Sequence, residues 1–371
     1  MKKRVAVLGA TGSIGKSALE VIAREQNNFD IVLLSAHSQS DKLAELGRLY
    51  PGAVTVHSGA ENGRKSLLAA IANCGADITL NGISGAAGLE PSMAAIEAGS
   101  NIALANKETL VMAGALVLRR ARERNVRIIP VDSEHSALFH LIEAHGGAHG
   151  GDALDEIILT ASGGPFRNYS LEEMKKVSPQ AALAHPTWNM GAKITIDSAS
   201  MANKGLEVIE AARLFSLPPE KIKVMVHPQS VVHSMIRMKN GEVYAQLSRP
   251  DMRLPIHNAL YWPDTMPAGF GRLDFDSLTL EFYPPDTEKF PLLSLAYEAV
   301  KMGGLYPCAY NAANEAAVAA FLDGRLGFLD ISRITRYVLD RDWNRQFDDI
   351  APVMEADSQA RTLAEKEIKE V

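Results

Sequence analysis

Asp132-Ser133-Glu134 places two carboxylates and a hydroxyl in three consecutive residues, directly after an apolar run at 127–131. A third acid, Glu207, lies in a segment, 202–214, whose apolar residues recur at helical spacing. Three converging carboxylates repel by roughly 4 kcal/mol per pair at ~4 Å and an effective dielectric of ~20. A divalent cation removes that cost, and an all-oxygen donor set points to Mg²⁺ or Mn²⁺ and not to zinc. The same spacing also suits a helix start, with Asp132 or Ser133 as cap and Glu134 in the first turn. His135 beside the cluster reads as a packing or supporting histidine.

Two further segments could hold an anion. Ser162-Gly163-Gly164 follows an apolar run and offers backbone N–H groups and a hydroxyl. Ser198-Ala199-Ser200-Met201-Ala202-Asn203-Lys204 enters a helix and offers hydroxyls, an amide and an ammonium. Helix capping by Ser198 or Ser200 is the plainer reading and is compatible with the first. Between these segments, His185-Pro186-Thr187-Trp188-Asn189-Met190-Gly191 has no regular periodicity; it is either a buried connection or a lid that excludes water.

Gly9-Ala10-Thr11-Gly12-Ser13-Ile14-Gly15 stands between an apolar run and a helical pattern. Glycines there allow a tight turn and close approach to a pyrophosphate, which the helix N-terminus then attracts. A bare βα turn is the alternative. An NAD site usually carries an acid at the end of the second strand. Here that strand runs into Ser35-Ala36-His37-Ser38-Gln39-Ser40, with no carboxylate before Asp41. The absence of a repelling charge favours NADP(H), although His37 and Ser38 also suit a solvated turn.

These residues need a scaffold, and the chain can provide one. Its 371 residues suffice for two or three domains, and its 47% hydrophobic and 22% charged content is that of a globular protein. A net charge of −6 argues against a nucleic-acid partner and requires a local positive site for any phosphorylated substrate. Two distant cysteines, Cys74 and Cys308, suggest a reducing, cytoplasmic setting. The longest apolar run, at 110–118, falls short of the ~20 residues a membrane span needs. The basic N-terminus leads at once into a glycine motif, so the chain reads as mature, without a signal peptide.

Apolar runs at 5–8, 31–35, 77–80, 101–104 and 127–131 alternate with helical patterns at 14–24, 86–98 and 110–123. This alternation predicts a doubly wound parallel sheet. A strand is expected at 154–160, another at 194–196 and a helix at 202–214. Antiparallel strands are expected at 224–226, 231–238 and 243–247, the last two joined at Lys239-Asn240-Gly241. The fold class is therefore α/β. A Rossmann-like nucleotide domain (1–131) is followed by an α+β catalytic and metal-binding domain (132–260). A proline-rich linker (261–291) then leads to a C-terminal helical domain (292–371), with helices at 309–322, 332–339 and 358–369. His227, His233 and His257 read as structural.

The glycine turn, Ala105-Asn106-Lys107-Glu108, Val131-Asp132-Ser133-Glu134-His135 and Ala161-Ser162-Gly163-Gly164-Pro165-Phe166-Arg167 resemble, in that order, motifs of the 1-deoxy-D-xylulose 5-phosphate reductoisomerase family. The order continues through His185-Pro186-Thr187-Trp188-Asn189-Met190-Gly191, Asn203-Lys204-Gly205-Leu206-Glu207, His227-Pro228-Gln229-Ser230, Pro250-Asp251-Met252-Arg253 and Asn311-Ala312-Ala313-Asn314-Glu315. The resemblance covers essentially the whole chain. It implies a homodimeric, NADPH- and metal-dependent enzyme that rearranges and reduces 1-deoxy-D-xylulose 5-phosphate in the non-mevalonate isoprenoid pathway.

The resemblance implies that Asp132, Glu134 and Glu207 bind Mg²⁺ or Mn²⁺ and, with Lys107, form the catalytic group. Ser162, Ser198, Asn203 and Lys204, with His185, would hold the substrate phosphate. Trp188 would cover the substrate, and Ser133 would join Glu134 and Glu207 around it. Gly9, Thr11, Gly12, Ser13, Ile14, His37, Ser38, Asn106, Lys107, Glu108 and Gly191 would contact the cofactor. The turn Ala36-His37-Ser38 departs from the family's usual glycine, basic residue and asparagine, so the grip on a 2′-phosphate is expected to be weaker or pH-dependent. Two rivals remain open on the residues alone. An aldehyde or acyl-phosphate reductase would need a nucleophilic cysteine with a base nearby. A non-catalytic NADP(H) sensor would leave the acids unexplained.

Overall fold

The apolar run near the N-terminus forms β1 (Lys3–Leu8), whose last four residues are fully buried. In the computed structural model, which describes residues 1–145, 153–184 and 190–371, β1 is central in a parallel sheet. Its companions are β2 (Phe29–Ala36), β3 (Val54–His57), β4 (Ile78–Asn81), β5 (Asn101–Leu104) and β6 (Ile128–Pro130), in the order β3-β2-β1-β4-β5-β6. The connections are helices α1 (Ser13–Arg24), α2 (Ser40–Leu49), α3 (Gly63–Asn73), α4 (Leu89–Glu97) and α5 (Glu108–Glu123). α6 (Ser133–His145) follows β6. The strand order reverses between β1 and β4, and ligands of such sheets bind at the carboxyl ends of strands flanking that point.

β3, α2 and α3 lack the local pattern that marks the other elements in the sequence. β3 is an edge strand in which Val54 and Thr55 are exposed, so it lacks the continuous apolar run of a buried parallel strand.

The second sheet has the order β10-β9-β7-β8. It comprises β7 (Leu154–Ala161), β8 (Ile222–Val226), β9 (Val232–Met238) and β10 (Val243–Leu247). Two expectations are corrected here. β8 runs parallel to β7, not antiparallel, because helices intervene and such a crossover returns the chain in the same direction. Residues 194–196 belong to α9 (Ala192–Ala199), not to a strand. The β-branched Ile194-Thr195-Ile196 suggests a strand, yet Thr195, Ile196 and Ala199 form a helical buried face. Two short helices, α7 (Leu171–Met174) and α8 (Pro179–Ala182), precede α9, and α10 (Ala202–Leu214) follows it. The hairpin between β9 and β10 turns at Asn240-Gly241 as expected, with Gly241 at φ +91°.

After β10 comes α11 (Arg253–Tyr261), then a stretch without regular elements apart from a bridge between Val226 and Tyr283. Four helices complete the chain: α12 (Pro291–Met302), α13 (Tyr306–Leu322), α14 (Asp330–Leu339) and α15 (Ala351–Ile368). α13 is alanine-rich and nearly all buried.

Two compact units result. The first comprises Met1–Thr109, Val117–Phe139 and Asp251–Arg272; the second comprises Leu110–Leu116, His140–Pro250 and Leu273–Val371. This division differs from the consecutive blocks read from the sequence. The 132–260 block read as catalytic includes residues 253–260, yet Ile256, Ala259 and Leu260 lie in the first unit's core with Phe29 and Ile31. Lys3 Nζ donates to Leu260 O at 2.7 Å, and Phe29 meets Tyr261 edge-on at 5.0 Å.

Candidate active site

Gly9 leaves β1 with φ +76°, and a Cβ there would lie 2.8 Å from Gly82 O at the end of β4. A Cβ on Gly15 would stand 2.3 Å from Gly9 O and 2.5 Å from Ala10 Cα. The loop is therefore pressed between the strand ends and α1, leaving no room for side chains at those two positions. Gly12 is the N-cap of α1, with no side-chain cap hydrogen bond among the described residues; a helix start of this kind offers N–H groups suited to an anion. Thr11 is buried, Ser13 is exposed and Ile14 is half-buried beside Gly82.

β2 ends at Ala36, and His37 and Ser38 follow it into solvent. The register pairs Ala36 with His57 of β3. Ser58 N donates to Ala36 O at 2.8 Å, and Ser58 Oγ lies 3.4 Å from His37 Nδ1. His57 and Ser58 thus adjoin the turn expected to take the 2′-phosphate, a placement the sequence reading missed along with β3. The first acid after β2 is Asp41, in the first turn of α2.

At the ends of β4 and β5 the side chains hold one another. Asn106 Nδ2 donates to Ile83 O, Gly85 O and Glu108 Oε2 at 2.8–2.9 Å, while its Oδ1 accepts from Thr109 N. Asn106 thereby holds the 83–85 loop. Lys107 is buried, and its Nζ lies 2.9 Å from Asp132 Oδ2. Asp132 Oδ1 accepts from Glu134 N at 3.2 Å and lies 3.2 Å from His135 Nδ1, with His135 fully buried. Asp132 therefore caps α6, one of the two readings its spacing allows, while keeping its carboxylate at the sheet's carboxyl edge. Ser133 Oγ donates to Glu134.

The second unit carries the other group. β7 ends at Ala161, and the loop turns through Gly163 (φ +82°) and Gly164 (φ +67°). Gly164 N donates to Ser162 Oγ at 3.3 Å. A Cβ on Gly164 would lie 2.9 Å from Ser198 O and 3.0 Å from Ala199 Cα, so the loop rests directly on the end of α9. Neither Ser198 nor Ser200 caps α10. Met201, in left-handed conformation, is its N-cap, and Ser200 Oγ donates back to Ile196 O at 2.9 Å. This differs from the sequence reading because α9 and α10 meet without an extended residue between them.

Asn203 Nδ2 donates to Glu207 Oε1 at 2.6 Å, and Lys204 Nζ pairs with Glu207 Oε2. Lys204 and Glu207 are 3% and 0% exposed, so this is a charge pair withdrawn from water and not a surface bridge. Gly191 is the N-cap of α9, with Thr195 Oγ1 donating to its carbonyl at 2.8 Å. His185 and Trp188 lie outside the described residues.

Two further residues pack against this group without a signal in the sequence motifs. Asp197, 1% exposed, accepts from Asn314 Nδ2 of α13 at 2.8 Å. Tyr310, one turn earlier on α13, would meet a Cβ on Gly205 at 2.6 Å through its hydroxyl. An acid within the apolar pattern of α9 was the available signal. The cysteines give no support to a thiol nucleophile. Cys308 is fully buried, burial pushes its thiol pKa up, and Cys74 is buried at the end of α3.

Family models match successive stretches of the chain. One described as 1-deoxy-D-xylulose 5-phosphate reductoisomerase covers residues 5–114, its C-terminal domain covers 128–215, and a DXP reductoisomerase C-terminal domain covers 247–363. A 1-deoxy-D-xylulose 5-phosphate reductoisomerase of Treponema denticola is 48% identical over 372 residues, spanning 98% of this chain and 96% of its own. The chain belongs to the 1-deoxy-D-xylulose 5-phosphate reductoisomerase family. A reductoisomerase of Laribacter hongkongensis is 45% identical, with 97% of each chain covered. A solved reductoisomerase in complex with NADPH, fosmidomycin and magnesium aligns with a TM-score of 0.93 at 37% identity, covering 99% of this chain and 98% of that one. The Zymomonas mobilis reductoisomerase with NADPH aligns at 0.92 and 42% identity, with both chains fully covered.

Proposed function

We propose that this chain converts 1-deoxy-D-xylulose 5-phosphate to 2-C-methyl-D-erythritol 4-phosphate, using NADPH and a divalent cation, in the non-mevalonate route to isoprenoid precursors. The observation that carries the reading is reductoisomerase family membership over nearly the whole length of the chain.

Asp132, Glu134 and Glu207 are the proposed ligands of Mg²⁺ or Mn²⁺. The donor set fits in its chemistry: all three side chains offer carboxylate oxygen, the donor a hard divalent cation prefers. The bound cation supplies Lewis acidity toward adjacent substrate oxygens and steadies charge developing on them. Lys107 adds a fixed positive charge at the same edge, in a dry setting where it acts strongly. Ser133 lies against the same substrate oxygens.

Ser162, Ser198, Asn203 and Lys204, with His185, hold the phosphate. Binding this remote group orients the reacting carbons. NADPH supplies the hydride that reduces the rearranged aldehyde. The loop Gly9–Gly15 and the N-terminus of α1 take its pyrophosphate. Thr11, Ser13, Ile14, Asn106, Glu108 and Gly191 complete its surroundings, and His37 and Ser38 take its 2′-phosphate.

Loss of NADPH absorbance on mixing the chain with Mg²⁺ and 1-deoxy-D-xylulose 5-phosphate, with and without EDTA, tests the reading. Oxidation that EDTA abolishes is expected. Folded, NADPH-binding protein that oxidises nothing, with Mn²⁺ and NADH also tried, would overturn it. A cytoplasmic homodimer belongs to the same proposal, and light scattering should return twice the chain's mass.

A further inference from the structure

The segment Asn311-Ala312-Ala313-Asn314-Glu315 of α13 has no part in the chemistry derived above, yet it reaches the anion site from behind. We propose that Asn314 is a positioning residue for substrate binding: through Asp197 it fixes the last turn of α9, and with it Ser198 and the shelf that carries the Ser162 loop. The proposal rests on the reading of Ser162, Ser198, Asn203 and Lys204 as the phosphate-holding group.

Asp197 precedes Ser198 on α9, and its carboxylate is shared between two partners. Asn314 Nδ2 donates to Oδ1 at 2.8 Å, and Lys193, one turn back on α9, stands 2.9 Å from Oδ2. A dry carboxylate held from two sides cannot shift without losing a partner, so the backbone at residues 197–199 is pinned. That backbone is the surface under Gly164, where Ser198 O and Ala199 Cα leave no space for a Cβ. A displacement of α9 would therefore move Ser198 and the Ser162-Gly163-Gly164 turn together.

The same face of α13 grips the other helix of the site. Tyr310 and Asn314 are four residues apart and share a helix face. Tyr310 donates to Leu292 O at 3.0 Å and places its hydroxyl where a side chain on Gly205 would be. Gly205 lies between Lys204 and Glu207 on α10. α13 thus touches α9 at Asp197 and α10 at Gly205. Asn314 Oδ1 is buried with no hydrogen-bond partner among the described residues. An apolar residue would avoid that desolvation cost, so the polar side chain is explained by its bond to Asp197 and not by packing.

The test compares Asn314→Ala, Ser198→Ala and the exchange Asp197→Asn/Asn314→Asp in the full chain with Mg²⁺. In the exchange, an amide donates to a carboxylate with the two roles reversed. The readouts are KM and kcat for 1-deoxy-D-xylulose 5-phosphate, NADPH affinity by fluorescence, and Tm. Asn314→Ala should raise KM by roughly 10-fold or more, the scale on which small misplacements act, with NADPH affinity unchanged. The exchange should recover part of that loss, since it restores the amide–carboxylate bond but not the ion pair with Lys193. An unchanged KM in Asn314→Ala, while Ser198→Ala raises it, would overturn the proposal. So would a loss shared equally by NADPH binding and not recovered by the exchange. An unchanged KM in Ser198→Ala would bring down the phosphate reading itself, and the proposal with it. Should Asn314→Ala not fold, Asn314→Ser, which keeps a hydroxyl donor out of reach of Asp197, carries the same expectations.

Discussion

The ammonium of Lys107 lies 2.9 Å from Asp132 Oδ2, and the two side chains are only 5% and 12% exposed. Removing one partner of such a pair leaves the other charge poorly solvated, at a cost of about 3–5 kcal/mol. Lys107→Ala should fall at the low end, because Asp132 keeps the Glu134 amide hydrogen bond and the nearby His135 ring. If Asp132 takes a divalent cation, added Mg²⁺ should raise the Tm of Lys107→Ala more than that of the parent. An equal rise in both would remove Asp132 from the metal site.

Glu207 accepts from Asn203 and Lys204, so Glu207→Gln keeps the shape of the site but removes its charge. The Mg²⁺ concentration for half-maximal activity should rise by at least ~10-fold, the scale seen when a metal site loses a supporting group. NADPH binding should be unaffected. An unaltered metal dependence would refute a ligand role.

Gly15→Ala would drive a methyl group into backbone at Gly9 and Ala10, which cannot yield as a flexible side chain can. Overpacking of this kind costs about 1–3 kcal/mol and should distort the loop at the start of α1. NADPH affinity and Tm should fall together. Unchanged NADPH fluorescence titration would show that the pyrophosphate is held elsewhere.

Burial pushes the pKa of His257 down, with Asn258 and Glu25 only partly opposing it, and burial lowers that of His140 as well. A base depressed in the fold stays neutral there while the unfolded chain takes up a proton below about pH 6.5. Its contribution to stability is complete above that pH and is lost as the pH falls toward the folded-state pKa. Urea midpoints should drop between about pH 7.5 and about pH 5.5. His257→Phe should show a shallower drop, with His140 keeping its share; an identical slope would mean that His257 does not titrate in this range.

The parallel sheet was legible because Val5–Leu8 and its companions are continuous apolar runs, each followed by a turn or a helical pattern. The glycine loop and the acids after β6 were legible for the same reason, since residue type and position after a strand both carry meaning. The capping role of Asp132 was one of two readings, and the structure shows the cap. The errors have physical sources. Ile194-Thr195-Ile196 is β-branched, and packing overrode that local preference in α9. Val54-Thr55 is solvated, which hid β3 and the neighbours it brings to His37. The direction of β8 and the partner of α11 are set by contacts distant in sequence, and no local pattern records them. Asn314 beside Asp197 is of the same kind.

The return of α11 to the first unit has a consequence for synthesis. The six parallel strands are complete once Pro130 has been made, but Ile256, Ala259, Leu260 and Phe270 of their core come much later. On the ribosome, the nucleotide-binding unit must wait with part of its apolar surface uncovered while the intervening chain emerges. A fragment ending at residue 131 should for this reason be sticky and poorly folded, and the smallest autonomous nucleotide-binding piece must include residues 251–272.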